Sequence, residues 1–225
     1  MSLLSDEWIL ILDYGSQYTQ LIARRIRELN VYCEIHPFNH DLSEFDPNPP
    51  EGIILSGGPE SVNNVEAPGL NEQIFTWNKP ILGICYGLQL LSHTEVEGSV
   101  AKASKREFGR AELIISDEQD LLNSIPQRTT VWMSHSDQII SLPDSYETIG
   151  KTDNAEVAAV RKKEKPIYGV QFHPEVVHTD YGKQVLKNFA YKICGLQGKW
   201  TAESFIESTV EEIRNQVGDA HVLCA

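Results

Sequence analysis

Cationic side chains are scarce in this sequence: 19 lysines and arginines stand against 32 aspartates and glutamates, a formal net charge of −13. A surface of that sign repels phosphate backbones and anionic membranes, so neither nucleic acid nor a lipid surface is expected as a partner. Small-molecule chemistry remains. Long apolar runs are also missing, and the stretch from Trp8 to Leu12 falls far short of the roughly 20 residues a membrane-spanning helix needs. The N-terminus, MSLLSDEW, lacks the basic and apolar regions of a signal peptide, and a soluble cytoplasmic protein is expected. Cysteine is sparse. Cys33, Cys85, Cys194 and Cys224 are too scattered for a disulfide framework or a CxxC metal pair and read as free thiols. His36, His40, His93, His178 and His221 show no ligand spacing, so no metal site is expected. Internal repeats are absent, and 225 residues suffice for one large domain, or for one domain and a fragment of another.

What is present is an alternation of short Ile-, Val- and Leu-rich runs with helical patterns through the first 92 residues, the signature of βαβ units around a parallel sheet. WILILD, VYCEIHPF, EGIILSGGP and PILGIC read as successive strands. Tyr18, Leu21, Ile22, Ile26 and Leu29 share one face of a helix after the first strand, and GLNEQIFTWN reads as a helix after the third. From about Gly98 to Phe172 strands and turns take over, adding an antiparallel portion, with RKKEK as a solvated hairpin turn. A helix striped by Val185, Leu186, Phe189, Ala190 and Ile193 follows. The expected fold is α/β: an open, largely parallel mixed sheet with helices on both faces. A boundary near residue 198 separates it from a second amphipathic helix striped by Phe205, Ile206, Val210, Ile213 and Val217, and from a final run that looks like a strand cut short.

Ligand sites in such sheets lie beyond the carboxyl ends of the strands, where three motifs fall. Gly83-Ile84-Cys85-Tyr86-Gly87 is the thiol counterpart of a nucleophile elbow: glycines clear space for a strained central residue, and the helix that starts there favours a thiolate. The first N–H of that helix, on Tyr86, is free to hold an oxyanion. His173 and Glu175, flanking a proline, offer a base and a carboxylate to orient it. The glycines of SGGP let backbone approach a ligand, and make the Gly58 N–H a second oxyanion donor. Each motif alone also has a plainer reading: a close-packed buried cysteine, a surface turn, an ordinary glycine turn.

In this order, SGGP, GICYGLQLL and GVQFHPE resemble the triad class of glutamine amidotransferases, over roughly Ile9 to Ile193. The resemblance implies Cys85 as nucleophile, His173 as base and Glu175 as its orienting carboxylate. It further implies that Gln89 and the SHSD backbone, Ser134, His135, Ser136 and Asp137, hold L-glutamine, although a histidine beside serines can equally serve its own loop. Three more segments, ILILDYGSQYTQLIARRIREL, KREFGRAEL and VWMSHSD, are similar to one branch of the family, in which an ATP-pyrophosphatase synthetase domain follows the glutaminase domain. On that reading residues 1–198 are the amidotransferase domain and 199–225 the start of the synthetase domain. Glutamine hydrolysis needs no cofactor, and ATP and Mg are expected only in the synthetase domain, which is the implied partner. Whether copies associate stays open. Two other functions remain: a catalytically silent module that depends on its partner, and a γ-glutamyl hydrolase, against which Gln89 and MSHSD count.

Overall fold

The structure, a computed structural model, describes residues 7–218 and 220–222. Among the described residues, nine strands form one sheet in the order β2-β1-β3-β4-β9-β8-β7-β5-β6. The first four, β1 (Trp8–Asp13), β2 (Tyr32–Pro37), β3 (Gly52–Leu55) and β4 (Ile81–Ile84), are parallel, and β9 (Ile167–Val170) joins β4 in the same sense. The rest, β5 (Val100–Ile115), β6 (Arg128–Ile139), β7 (Tyr146–Lys151) and β8 (Ala159–Lys162), pair antiparallel. The mixed sheet expected from the sequence is therefore present as one continuous surface.

Two hydrophobic layers cover it, and the period-two geometry of β1 shows why. Ile9 and Ile11 point into one layer, with Ile22, Ala23 and Ile26 of α1 (Thr19–Arg27) and Val185 and Leu186 of α3 (Gly182–Lys187). Trp8, Leu10 and Leu12 point into the other, with Leu88, Leu90 and Leu91 of α2 (Tyr86–Glu95). Each fully buried Ile or Leu contributes about 1.5–3 kcal/mol, and these strands are buried on both sides. α1 is amphipathic, whereas every residue of α2 from Tyr86 to Ser92 is buried, as befits a helix inside the core. α3 runs on into one π-helical stretch, Asn188–Ile193.

Three expectations change. GLNEQIFTWN gives only a 3-10 turn, Glu72–Phe75: it buries Ile74 alone, too little apolar surface to hold a longer helix. The last strand, read as running to Phe172, ends two residues earlier, because the chain leaving β9 exchanges partners: Gln171 N donates to Ala158 O, just before β8, at 2.9 Å, then His173 N to Trp132 O of β6 at 3.0 Å. RKKEK is only partly solvated. Lys163, Glu164 and Lys165 are exposed, but Arg161 pairs with Asp117 and Glu147, both at 2.8 Å, and Lys162 pairs with Glu95. The C-terminal strand expectation falls partly on 219 and 223–225, outside the described residues; residues 220–222 form no strand.

α4 (Ala202–Val217) starts with a capping box between Thr201 and Ser204. Phe205 stacks on Tyr32 with ring centroids 5.9 Å apart and leans on Trp200. Beyond that first turn the apolar stripe is bare, with Ile206, Val210 and Ile213 exposed.

Candidate active site

β1, β3 and β4 deliver their carboxyl ends to one rim, and the loops there build the site. Asp13 closes β1: its Oδ1 accepts from Gly15 N at 2.9 Å and from Thr19 Oγ1 at 2.6 Å, starting α1 and turning residues 15–18 over the rim. Ser56, fully buried after β3, accepts from Tyr14 N through Oγ at 2.9 Å and so ties the first two loops together.

The elbow follows β4. Cys85 sits at φ 52°, ψ −104°, a left-handed conformation that a non-glycine residue adopts only where its surroundings enforce it. Cys85 N donates to Val170 O at 2.7 Å, Gly87 N to Ser56 O at 3.1 Å, and Gln89 N to Cys85 O at 3.1 Å as α2 begins. The flanking glycines are required by contact: a Cβ on Gly83 would stand 2.6 Å from the Gly87 carbonyl carbon, and one on Gly87 2.5 Å from Leu55 O. Both obstacles are backbone. Gly87→Ala is therefore expected to destabilise the chain by about 3 kcal/mol or more. The check is a denaturant midpoint, and an unchanged midpoint would mean the elbow is not packed against β3 as described.

His173 lies against this thiol. Its Nδ1 and Glu175 Oε1 are 2.7 Å apart, with both side chains buried, which leaves the other ring nitrogen for Cys85. Two hydrogen bonds pin the backbone of the pair and one ring contact steadies the imidazole. His173 O accepts from Thr179 Oγ1 at 2.7 Å, Glu175 O accepts from Arg25 Nε of α1 at 3.0 Å, and Tyr18 meets the imidazole edge-on with centroids 5.1 Å apart. Burial alone would pull the imidazole pKa down. Hydrogen bonds to Cys85 and Glu175 and the two negative charges outweigh it and raise the pKa to about 10. The ring thus carries its proton at neutral pH, facing the sulfur.

These groups open on a cavity of about 390 Å³, large enough for an amino-acid-sized ligand. Cys85, His173, Gly58, Gln89, Ser134, His135, Ser136 and Asp137 all line it. Glu175 stands behind His173, and Tyr86 opens α2 beside Cys85. The predicted residues therefore converge. Gln89 is no solvated helix position: it is buried, and its Nε2 donates to Asp137 O at 2.9 Å. The Cys85 sulfur is 3.8 Å from Ser134 O. Asp137 also accepts from Ser61 through its carboxylate, joining the loop after β3 to β6. His135 is buried, with Nδ1 2.9 Å from Asp137 O and Nε2 3.3 Å from Glu107 Oε2 across the β5–β6 pair. It braces its own strand as well as lining the cavity.

Three contributors were not singled out by number from the sequence. Gln171, fully buried, donates from Nε2 to Cys85 Sγ at 3.6 Å and accepts from Gln89 Nε2 through Oε1 at 3.2 Å, linking the thiol to the helix residue beside it. It lies inside GVQFHPE, two residues before His173, and that spacing is its available signal. Gly57 is the second: a Cβ there would stand 3.2 Å from His173 Cε1 and 3.7 Å from Cys85 Cβ, so this glycine of SGGP faces the two reacting groups. Tyr18, the third, carries no signal in the sequence beyond its place at the head of the α1 stripe. Away from the site, burial pushes the Cys33 thiol up to about 11 and raises that of Cys194 as well. Cys224 lies outside the described residues.

Fold and site together define an α/β protein that presents a cysteine on a strand-to-helix elbow to a buried histidine–glutamate pair. A family model described as glutamine amidotransferase class-I matches residues 10–193, and the chain belongs to that family. It is 48% identical over 222 residues to the glutamine-hydrolyzing GMP synthase of Acetivibrio thermocellus, covering 99% of this chain and 43% of the relative. With the corresponding GMP synthase of Spiroplasma kunkelii it shares 50% identity over 217 residues, 96% of this chain and 42% of the relative. The chain thus spans less than half the length of these curated relatives. Among solved structures, a protein assigned as a GMP synthase subunit from Thermoplasma acidophilum superposes with a TM-score of 0.72 at 33% identity, over 93% of this chain and 98% of that one. Among the described residues no helix is long and apolar enough to cross a membrane.

Proposed function

We infer that this chain is the glutaminase part of a GMP synthetase, hydrolysing L-glutamine to glutamate and ammonia, with the ammonia used by a synthetase domain to aminate XMP to GMP. The observation that carries the reading is the strained Cys85 facing a protonated, Glu175-held His173 inside an amino-acid-sized cavity. The names of the relatives support the particular branch.

In this reaction the Cys85 thiolate attacks the side-chain amide carbon, and the carbonyl electrons move onto oxygen, held by the N–H groups of Gly58 and Tyr86. His173 gives its proton to the departing nitrogen as the C–N bond breaks, releasing ammonia and leaving a γ-glutamyl thioester. The neutral imidazole then takes a proton from water, whose oxygen attacks the thioester. Collapse returns the electron pair to sulfur and frees glutamate. Gln89 and the Ser134–Asp137 backbone hold the amino acid, and His135 keeps that strand in place. No cofactor enters. ATP and Mg belong to the synthetase domain, and L-glutamine and that domain are the partners. Residues 1–198 would form the glutaminase and 199–225 the first part of the synthetase domain. The bare Ile206, Val210 and Ile213 stripe supports that division, since a helix of the glutaminase core would have its apolar face covered.

The raised pKa of His173 has a direct kinetic signature. A general acid with a pKa of about 10 stays protonated as pH rises through neutrality and loses its proton only around that value. Because the free chain is the state in which both Cys85 and Glu175 act on the ring, kcat/KM for glutamate release is expected to hold through neutral pH and fall on an alkaline limb near pH 10. Glu175→Gln removes one of the raising interactions and should move the limb to lower pH; an unmoved limb would separate Glu175 from the titration. The function itself is tested by glutamate release from free glutamine and from a γ-glutamyl dipeptide, using the chain alone and the chain joined to a synthetase domain. Preference for free glutamine supports the reading, whereas preference for the dipeptide in both formats would replace it with a γ-glutamyl hydrolase. No release from either substrate in either format would leave a silent module.

A further inference from the structure

His36, His40 and Glu44 come together at the carboxyl end of edge strand β2, although the one-dimensional spacing of the histidines does not suggest ligands. We propose that this cluster binds one divalent transition-metal ion of the zinc, cobalt or nickel type, at a site separate from the catalytic cavity. The fold assembles it from three pieces. His36 is the penultimate residue of β2. A turn closed by His40 N donating to Pro37 O at 3.0 Å brings His40 back beside it. Glu44 rides on the 3-10 turn Leu42–Phe45, which Asp41 caps by accepting from Ser43 N at 3.0 Å.

One donor atom from each of the three residues lies within 4.8 Å of the other two. Ligands around a tetrahedral zinc are about 3.4 Å apart, from bond lengths of about 2.0–2.1 Å, so modest side-chain rotations close the site. The imidazoles face each other with centroids 4.3 Å apart, and both rest on the buried Phe45 ring, His36 edge-on at 5.0 Å and His40 at 5.6 Å. That apolar floor fixes the rings while leaving their outer edges reachable. Carboxylates already surround them: His40 contacts Glu44, and His36 Nε2 is 2.9 Å from Glu34 Oε2. Glu34 is itself oriented by Tyr32 OH, which donates to its Oε1 at 3.0 Å, the kind of outer support that metal ligands use. Two imidazoles with one or two carboxylates select a borderline transition metal over calcium or magnesium, which prefer all-oxygen sets. A bound ion would clip edge strand β2 to the turn that follows it. None of these residues lines the catalytic cavity.

The experiment titrates untagged protein, carrying Cys85→Ala so that the reactive thiol cannot compete, with Zn²⁺, Co²⁺ and Mg²⁺ by calorimetry, and with Co²⁺ by visible absorption. One equivalent should bind, with cobalt ligand-field bands and no thiolate charge-transfer band. His40→Ala and the gentler, exposed Glu44→Gln should each weaken binding by about tenfold or more. Circular dichroism confirms that both variants fold. Unchanged affinity in both folded variants, a thiolate band, or equal affinity for Mg²⁺ would each overturn the proposal.

Discussion

Replacing Cys85 with alanine should lower glutamate release by a factor on the order of 10⁵ to 10⁶, while glutamine still binds with nearly unchanged affinity. The size of the loss follows from what the sulfur does. Without it there is no acyl acceptor, and the amide must wait for direct attack by water. Affinity survives because the cavity walls come from Gln89 and the β6 strand, each held by bonds besides its link to the thiol: Gln89 keeps its bond to Asp137 O, and β6 keeps its pairing with β5. Alanine occupies the same φ of 52° at a cost close to that of cysteine, so the elbow should stay folded. Initial-rate assays and calorimetric glutamine binding separate the two effects. A variant that loses binding along with turnover would point to a collapsed elbow.

Glu175→Gln carries the second largest effect, a fall in kcat of about 10³ to 10⁴ with little change in KM. The carboxylate is fully buried and its Oε1 meets His173 Nδ1 at 2.7 Å. Glutamine keeps the shape and loses the charge. Its amide also offers N–H toward the ring, which favours the wrong tautomer and leaves the imidazolium uncompensated. The loop should keep its course, because Arg25 holds the backbone carbonyl of residue 175 and Thr179 that of His173. Glu175→Ala is a poorer probe, since it would also leave a cavity and an orphaned buried donor, worth about 1–3 kcal/mol of stability. Thermal denaturation of the Gln variant tells a catalytic loss from a structural one: a melting temperature near wild type with the predicted kcat places the residue's role in the reaction.

Much of this was legible in the sequence, for physical reasons that differ from part to part. Strand β1 announced itself because a run buried on both faces must be apolar throughout, and the two layers meeting Ile9 and Leu10 follow from its pleat. The elbow could be read because its requirements are local: glycines at 83 and 87 where any Cβ would strike backbone, and a helix beginning at once. Other features depend on register and crossing that no local pattern records. Glu107 faces His135 only because β5 and β6 pair so, after a register shift between Lys102 and Glu107. Gln171 reaches Cys85 because β9 lies beside β4, and Gly57 faces His173 because the chain leaves β9 for β6. Arg161 looked solvated as part of a charge run, yet pairing of β8 with β7 sets it beside Glu147. The His36–His40–Glu44 cluster belongs to the same kind: a turn and a short 3-10 segment create a proximity that counting residues does not reveal.

The central claim is that Cys85 is the group that attacks glutamine. Treating the chain with an electrophilic diazoketone analogue of glutamine, followed by peptide mapping, tests it most directly, because labelling needs the reactive thiolate and the glutamine cavity but not a complete turnover. A single modification on Cys85 is expected, prevented by excess glutamine, with glutamate release lost in proportion to labelling. Modification of a different residue as activity disappears, or full labelling of Cys85 with release intact, would contradict it.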